Sequence, residues 1–401
     1  MVPGKKHLLG ALAAALLACC APANQPVPGP SDDPPTEVVV SPDPSEDVTP
    51  SQDVAQVLDK DGKLLCQIDA MSTCTAVDAG LFYGIFTLGE NAYTGPAVYR
   101  VQLLDKDKYV SKKTINRQGY EPVFARTELG GNVYTLNLIG NPMDNEPDDL
   151  MLYGFLPSSN SIVTGRITTD GFPYAAMTVS GDKLLIMSHE MSEPKCDKIY
   201  AYDHHMIKEI LSFPSGDESD SMRSIYGSEE GFYLLRLHIA AQETELFVDR
   251  YDSHYNKIYS KSLRSLVLEV AQSVGITKED SVPQQGMHVA GFRVVDGRFV
   301  FYENFSAVRA IFDIQEEKVL FAGNDMYQLS TGCGRPLFYK LQFSPSDDAD
   351  IVGIKDGAVE HIPYTLSGLL QGISTSPGGN CLYRLAFPTQ APSYVWTSVP
   401  Q

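Results

Sequence analysis

SEEGFYLLRLHI (228–239) is an acidic turn followed by eight residues rich in Phe, Tyr, Leu and Ile. Such residues suit a pleated, half-buried surface, so the segment reads as a strand entered through a turn. The pattern recurs as DAGLFYGIFTL (78–88), NVYTLNLIG (132–140), KLLIMSH (183–189), GRFVFYENF (297–305), PLFYKLQF (336–343) and CLYRLAF (381–387). The later copies follow LGGN, SGDK, VDGR, STGCG and SPGGN, each read as a turn. Taking Phe82, Tyr134, Leu185, Tyr233, Phe299, Phe338 and Tyr383 as landmarks gives seven copies, spaced by 52, 51, 48, 66, 39 and 45 residues.

A second hairpin follows each of the first six landmarks, for example KIYAYDHHMIKEILSF (198–213) and RAIFDIQEEKVLFAG (309–323). One unit is therefore four strands long, and units of this length repeated radially make the blades of a β-propeller. The expected fold is all-β: a β-propeller of seven four-stranded blades. Strands lining a crowded axis need small side chains, and the first strand of each unit carries them: Ala76, Ala125, Ala175, Ala176, Ser224, Ala290, Gly291, Ser330 and Gly372. The seventh unit ends one strand short, after SYVWTS (393–398). VLDKDGKLLCQID (57–69) is placed to supply the missing strand and so cover an open sheet edge. The 66-residue interval holds SLRSLVLEVAQSVGITKED (262–280), which puts Leu263, Leu266, Val267, Val270 and Val274 on one helical face. It is expected to cap the domain between blades four and five.

The first residues indicate where such a domain works. Lys5 and Lys6 precede an apolar run from Leu8 to Ala21, shorter than the roughly 20 residues a bilayer requires. A basic start and a short apolar core make a secretory signal. Its end, Leu16, Leu17, Ala18 and Cys19, resembles the lipobox of bacterial lipoproteins. That resemblance implies a signal peptide over 1–18 and a diacylglyceryl thioether on Cys19. Residues 21–55 hold nine prolines, seven acids and no Lys, Arg or aromatic residue. They cannot bury enough apolar surface to offset ordering entropy, so 19–55 reads as a lipidated cysteine on a disordered tether. The propeller domain is assigned to 56–401. In layout it resembles bacterial extracytoplasmic propellers, without repeated Trp-Asp, kelch double glycine or Tyr-Trp-Thr-Asp runs. The expected location is the outer face of a bacterial membrane.

The chain carries 31 Lys and Arg against 50 Asp and Glu, a formal charge of −19. That balance argues against nucleic acid, whose phosphates need a basic footprint. Cys66 and Cys74 are near enough in sequence to pair, and the domain's five cysteines leave one over. HEMSE (189–193) departs from the zinc-protease pattern at Glu193 and lies at a strand end. His204, His205, Asp203, His189 and Cys196 are a weaker zinc candidate than a solvated turn. LDKDGKL (58–64) lacks the later ligands of a calcium loop and reads as an Asp-Gly hairpin turn. No catalytic residue, metal or cofactor is assigned.

What remains is a rim, formed by loops entering the first strand and loops linking the second to the third. It brings Tyr120, Phe172, Tyr174, Met287 and His288 among Asp144, Glu146, Asp148, Asp149, Glu190, Asp347 and Asp348, with His189 beside Glu190. The ligand-binding candidates are Tyr120, Phe172, Tyr174, Asp148, Asp149, His189, Glu190, Met287 and His288. Aromatics among acids suit glycans, basic peptides or cations, and the expected partner is a protein or glycan. The expected function is a lipid-anchored binding or scaffolding propeller. The alternatives are an extracytoplasmic hydrolase or lyase on the same rim, and a structural component of the envelope.

Overall fold

A computed structural model describes residues 54–69, 73–86, 97–105, 108–116, 123–139, 149–156, 161–168, 173–190, 196–203, 206–214, 220–239, 244–275, 289–304, 308–387 and 390–398. The described chain opens with a hairpin, β1 (Val54–Asp59) and β2 (Leu64–Asp69). Its turn is closed by Asp59, whose Oδ1 accepts the N–H of Asp61 and of Lys63, and Gly62 takes φ +81°. The Asp-Gly reading of that turn is thus correct.

Five four-stranded antiparallel meanders follow. The first sheet is β3 (Thr73–Val77), β4 (Gly80–Phe86), β5 (Ala97–Asp105) and β6 (Lys108–Asn116); the second is β7 (Val123–Leu129), β8 (Asn132–Ile139), β9 (Asp149–Leu156) and β10 (Ser161–Thr168). The third is β11 (Pro173–Ser180), β12 (Lys183–Glu190), β13 (Cys196–Tyr202) and β14 (Ile207–Pro214). The fourth is β15 (Asp220–Ser228), β16 (Gly231–Ile239), β17 (Thr244–Asp252) and β18 (Lys257–Ser262). After helix α1 (Arg264–Ser273) comes the fifth, β19 (Val289–Val295), β20 (Phe299–Asn304), β21 (Arg309–Asp313) and β22 (Lys318–Gly323). Tight turns join first to second strands. Gly130 and Gly131 both have positive φ, as do Asp296 and Gly297, the geometry that matches strand twist.

In the sixth sheet β23 (Tyr327–Leu329) pairs with β25 (Phe338–Lys340), then β26 (Ile351–Lys355) and β27 (Ala358–Ile362). The two residues of β24 (Thr331–Gly332) leave it and pair in parallel with β28 (Leu369–Thr375) of the seventh sheet. That sheet continues through β29 (Asn380–Phe387) and β30 (Gln390–Ser398), then β1, parallel to β30, then β2. The expectation of seven four-stranded units is corrected here: six sheets have four strands and the seventh has six. The amino-terminal segment brings a whole hairpin where one strand was expected.

All seven landmarks lie on the second strands and all are buried. Each hydrophobic cluster is shared by neighbouring sheets. Phe82 and Val77 of the first pack on Val133 and Phe155 of the second. Tyr134 and Leu152 pack on Ile186 and Tyr202, and Leu185 and Met187 on Phe232 and Leu234. Leu235 and Val248 meet Phe292 and Val300, Phe301 and Ile311 meet Phe338 and Val352, and Leu337 and Tyr339 meet Leu370 and Tyr383. A seventh cluster joins Val57, Ile68 and Tyr394 of the last sheet to Ala76 and Leu81 of the first. The first strands β7, β11, β15 and β19 pack on one another in turn, and β28 packs on β3, so the first strands are the inner ones. This is a β-propeller architecture. Helix α1 buries Leu266, Val267, Val270 and Ala271 in the cluster between the fourth and fifth sheets, with Leu263 buried at its start. The capping helix expected from periodicity is present at the expected place.

Candidate functional site

At the rim, Tyr120, Phe172, Asp148, Met287 and His288, with Asp144 and Glu146, lie outside the described residues. For Tyr174, His189 and Glu190 the backbone is described: Tyr174 on β11 stands opposite His189 on β12, which stands opposite Asp197 on β13. Glu190 stands opposite Pro173 and Cys196. Asp149 opens β9 and its carboxylate forms an ion pair with Arg166 of β10.

Of the rim loops that link a second strand to a third, the one described throughout is residues 341–350 between β25 and β26. Its geometry separates the acids that build it from the groups it displays. Asp347 Oδ2 accepts the N–H of Phe343 and of Ser344, both at 2.8 Å, so this carboxylate folds the loop. Gln342 is buried; its Oε1 accepts the Leu370 N–H at 2.9 Å and its Nε2 donates to Asp347 O at 2.6 Å, tying the loop to the seventh sheet. Asp350 accepts from Tyr327 Oη at 2.6 Å and contacts His361 Nδ1 at 2.8 Å. Burial, then the bond to Asp350, pushes the Tyr327 phenol upward. Phe343, Pro345, Ser346 and Asp348 are left facing water, and Phe343, the one aromatic among them, is 66% exposed. An apolar ring held outward by a braced loop is an unusual use of Phe, because exposure forfeits about 2 kcal/mol of burial.

The inner strands hold a second cluster that the sequence reading passed over. Arg126 of β7 reaches back toward the first sheet. Its Nη1 donates to Thr75 Oγ1 at 2.5 Å and its guanidinium lies 5.2 Å from the Phe82 ring centre. Burial holds this guanidinium's pKa below its usual value. Arg293 of β19 lies 5.8 Å from the Tyr226 ring of β15, and its Nη1 donates to Phe292 O. Between them comes Cys333, in the segment Thr331–Arg335. Its Sγ is 3.4 Å from Thr127 Oγ1 and within electrostatic reach of Arg126 and Tyr226. The glycines on either side make this position attainable. A Cβ on Gly332 would stand 2.1 Å from Thr375 O, and one on Gly334 would stand 2.1 Å from Ser376 O. STGCG, read as a simple turn, is instead a strip laid against the inner edge of β28.

Glu128, at the far end of β7, is 6% exposed. Its Oε1 accepts the Asp78 N–H at 2.7 Å, and its Oε2 is buried without a hydrogen-bond partner among the described residues. Burial pushes its carboxyl up to about 7; the Asp78 charge adds to this, while the Asp78 N–H and Arg126 oppose it. Asp78 in turn accepts the Gly378 N–H at 2.5 Å. Cys66 and Cys74 carry thiols and no disulfide joins them. Burial, with Cys66 nearby, pushes the Cys74 thiol far up.

In the sequence the inner cluster shows only as Ala125-Arg126 and Phe292-Arg293, a cation inside strands expected to carry small residues. No protein-family model and no curated protein matches the chain. Distant likenesses of fold occur among solved structures. A prolyl endopeptidase shares 12% identity and a TM-score of 0.49, over 82% of this chain and 48% of that one. The β-propeller domain of Cps50 (Swd1) from Myceliophteria thermophila shares 11% and 0.45, over 82% and 97%. BamB from Moraxella catarrhalis shares 10% and 0.39, over 81% and 96%.

Proposed function

We propose that this chain is a lipid-anchored, extracytoplasmic binding propeller whose seven sheets close into a ring and whose recognition face is the rim carrying Phe343. The observation that carries the recognition reading is the braced rim loop. Asp347 and Gln342 fix its backbone, and it displays one aromatic ring beside the exposed Asp348. A rigid aromatic anchor loses little entropy on binding, and aromatic anchors dominate interface energies. The partner is a protein or glycan of the envelope. Closure is supported by the seventh cluster, where residues from both ends of the described chain pack together. Anchoring is supported by Leu16, Leu17, Ala18 and Cys19 and by the acidic, proline-rich tether behind them.

Two measurements test this. The full chain, extracted in detergent and immobilised, should retain a discrete protein or glycan from envelope extract, and Phe343→Ser should abolish retention without lowering Tm. Retention unchanged by Phe343→Ser would move recognition away from this loop. Mass spectrometry of the amino-terminal peptide should find Cys19 carrying acyl chains; an unmodified Cys19 would remove the anchor.

A further inference from the structure

The seven connections from first to second strand are unequal. Six of them take two to four residues, whereas that of the sixth sheet takes eight, residues 330–337. Its neck is pinned: the Ser330 N–H donates to Leu337 O at 2.8 Å, and the Leu337 N–H to Ser330 Oγ at 3.0 Å. Beyond the neck the chain leaves its own sheet and runs along the inner edge of β28, with Thr331 opposite Ser374 and Gly332 opposite Thr375. The Gly334 N–H donates to Thr375 O at 3.1 Å, and Thr375 Oγ1 donates to Arg335 O at 3.0 Å. The same segment packs on β3 of the first sheet. At its tip the Cys333 thiol donates to Thr127 Oγ1 at 3.4 Å and lies 3.8 Å from Arg126 O, both on β7 of the second sheet. One short connection therefore touches four sheets: its own, the seventh, the first and the second.

We propose that residues 331–336 are a clasp inside the ring, holding the sixth and seventh sheets to the first and second from the axis side. The inference rests on the ring reading given above. The β1–β2 hairpin extends the seventh sheet beyond β30, and the clasp covers its other edge at β28, so that sheet is bound on both sides. The two devices act in parallel. Parting the seventh sheet from the first also pulls Cys333 away from β7, because that contact spans the same seam. A two-residue turn, as in the second sheet, could not reach so far. Cys333 suits the tip, being small and apolar with a weak donor for the Thr127 hydroxyl. The clasp is also easily broken, since a Cβ on Gly332 or Gly334 meets a carbonyl oxygen at 2.1 Å.

The test uses the full chain in detergent. In Thr127→Cys, oxidised glutathione should take up two electrons and join residues 127 and 333 within one chain, because the two side chains already touch. Peptide mass mapping identifies the bond. Cys66, buried in the seam between the seventh and first sheets, reports on opening of that seam. The bond should slow alkylation of Cys66 about tenfold relative to the reduced variant, and Gly334→Ala, which unseats the clasp, should speed it about tenfold over wild type. Cys196 of the third sheet lies away from the seam, and its rate should stay constant in both. No bond between residues 127 and 333 in a chain that melts cooperatively would overturn the clasp. So would a bond that leaves the Cys66 rate unchanged, since the strip would then rest on β7 without holding the closure. Faster alkylation of Cys196 in Gly334→Ala would mark general unfolding, and the bonded variant then decides alone. Ring failure is read separately, by small-angle scattering: an elongated particle rejects the ring, whereas a compact disc without the bond rejects only the clasp.

Discussion

Among the described residues, the seam between the fourth and fifth sheets buries eighteen hydrophobic residues, five of them from Leu263 and α1, whereas the seam between the seventh and first sheets buries eight. The smaller seam compensates with polar cross-links. The Ala76 N–H donates to Ser374 Oγ at 3.0 Å, the Gly378 N–H to Asp78 Oδ1, and Asn380 Nδ2 to the carbonyls of Val77 and Asp78 at 3.2 and 3.1 Å. β2 of the seventh sheet runs directly into β3 of the first, but β28 and β29 reach the first sheet only across almost the whole sequence, and it is their registry on it that these directional bonds set. Hydrogen bonds add little net energy but penalise misplacement heavily, which suits them to that task.

The largest effect should follow from deleting Val54–Asp69. This removes Ala55, Val57, Cys66 and Ile68 from the smaller seam, bares Leu382 and Tyr394, and leaves β30 an open edge. Loss of that burial should cost on the order of 5 kcal/mol or more. The expected result is a chain without a sharp unfolding transition, checked by circular dichroism on heating. A deletion that melts like wild type would show that the hairpin closes nothing.

How far that seam was legible in the sequence depends on the kind of pairing. Antiparallel neighbours joined by short turns leave a local signal, so the landmark strands, the hairpins after them and the apolar face of α1 could all be read. The two parallel pairings, β1 with β30 and β24 with β28, join segments far apart in sequence and leave none. The hairpin was therefore expected as one strand, and STGCG as a turn. The rim acids show another limit. Composition cannot distinguish Asp347, which folds its loop, from Asp348, which faces water. Arg126 and Arg293 left no distinct signal, because Ala125, Ala290 and Gly291 already satisfied the expectation of small residues on those strands.

Next in size is Leu266→Ala on α1. Leu266 is 5% exposed, and truncation leaves a cavity costing about 3 kcal/mol. The change should appear as a lower midpoint in urea with the slope retained. A cost below about 1 kcal/mol would mean that the seam repacks around the loss, and that its eighteen residues are redundant.

Glu128→Gln probes the polar bridge beyond the first sheet. The carboxyl is raised to about 7 by burial, with Asp78 adding to the rise. Its contribution is therefore fully present below the unfolded value near 4.5 and is lost as pH rises through about 7. The charged groups facing it are Asp78 and Arg126. Wild-type stability should fall between pH 5 and pH 8 by on the order of 2–3 kcal/mol from this group. Gln keeps the acceptor for the Asp78 N–H and cannot ionise. The variant should match wild type at pH 5 and exceed it at pH 8, in urea titrations at both values. Equal pH slopes in the two proteins would show that Glu128 is already ionised against Arg126 in the native state.

The smallest and most discriminating effect compares one polar side chain at each seam. Asn380 Nδ2 serves Val77 O, on a residue that is buried, so Asn380→Ala leaves a carbonyl that water cannot readily reach. The expected cost is about 1 kcal/mol. At the larger seam Lys261 Nζ donates to Ile314 O at 2.7 Å. Lys261→Met removes that bond but keeps a stem of similar length packed along the surface, and the apolar seam beneath is untouched. Its expected cost is below about 0.5 kcal/mol. Both are measured as midpoint shifts in urea at pH 6. A Lys261→Met cost equal to or above that of Asn380→Ala would reverse the comparison, because the helix-backed seam would then also depend on its polar link.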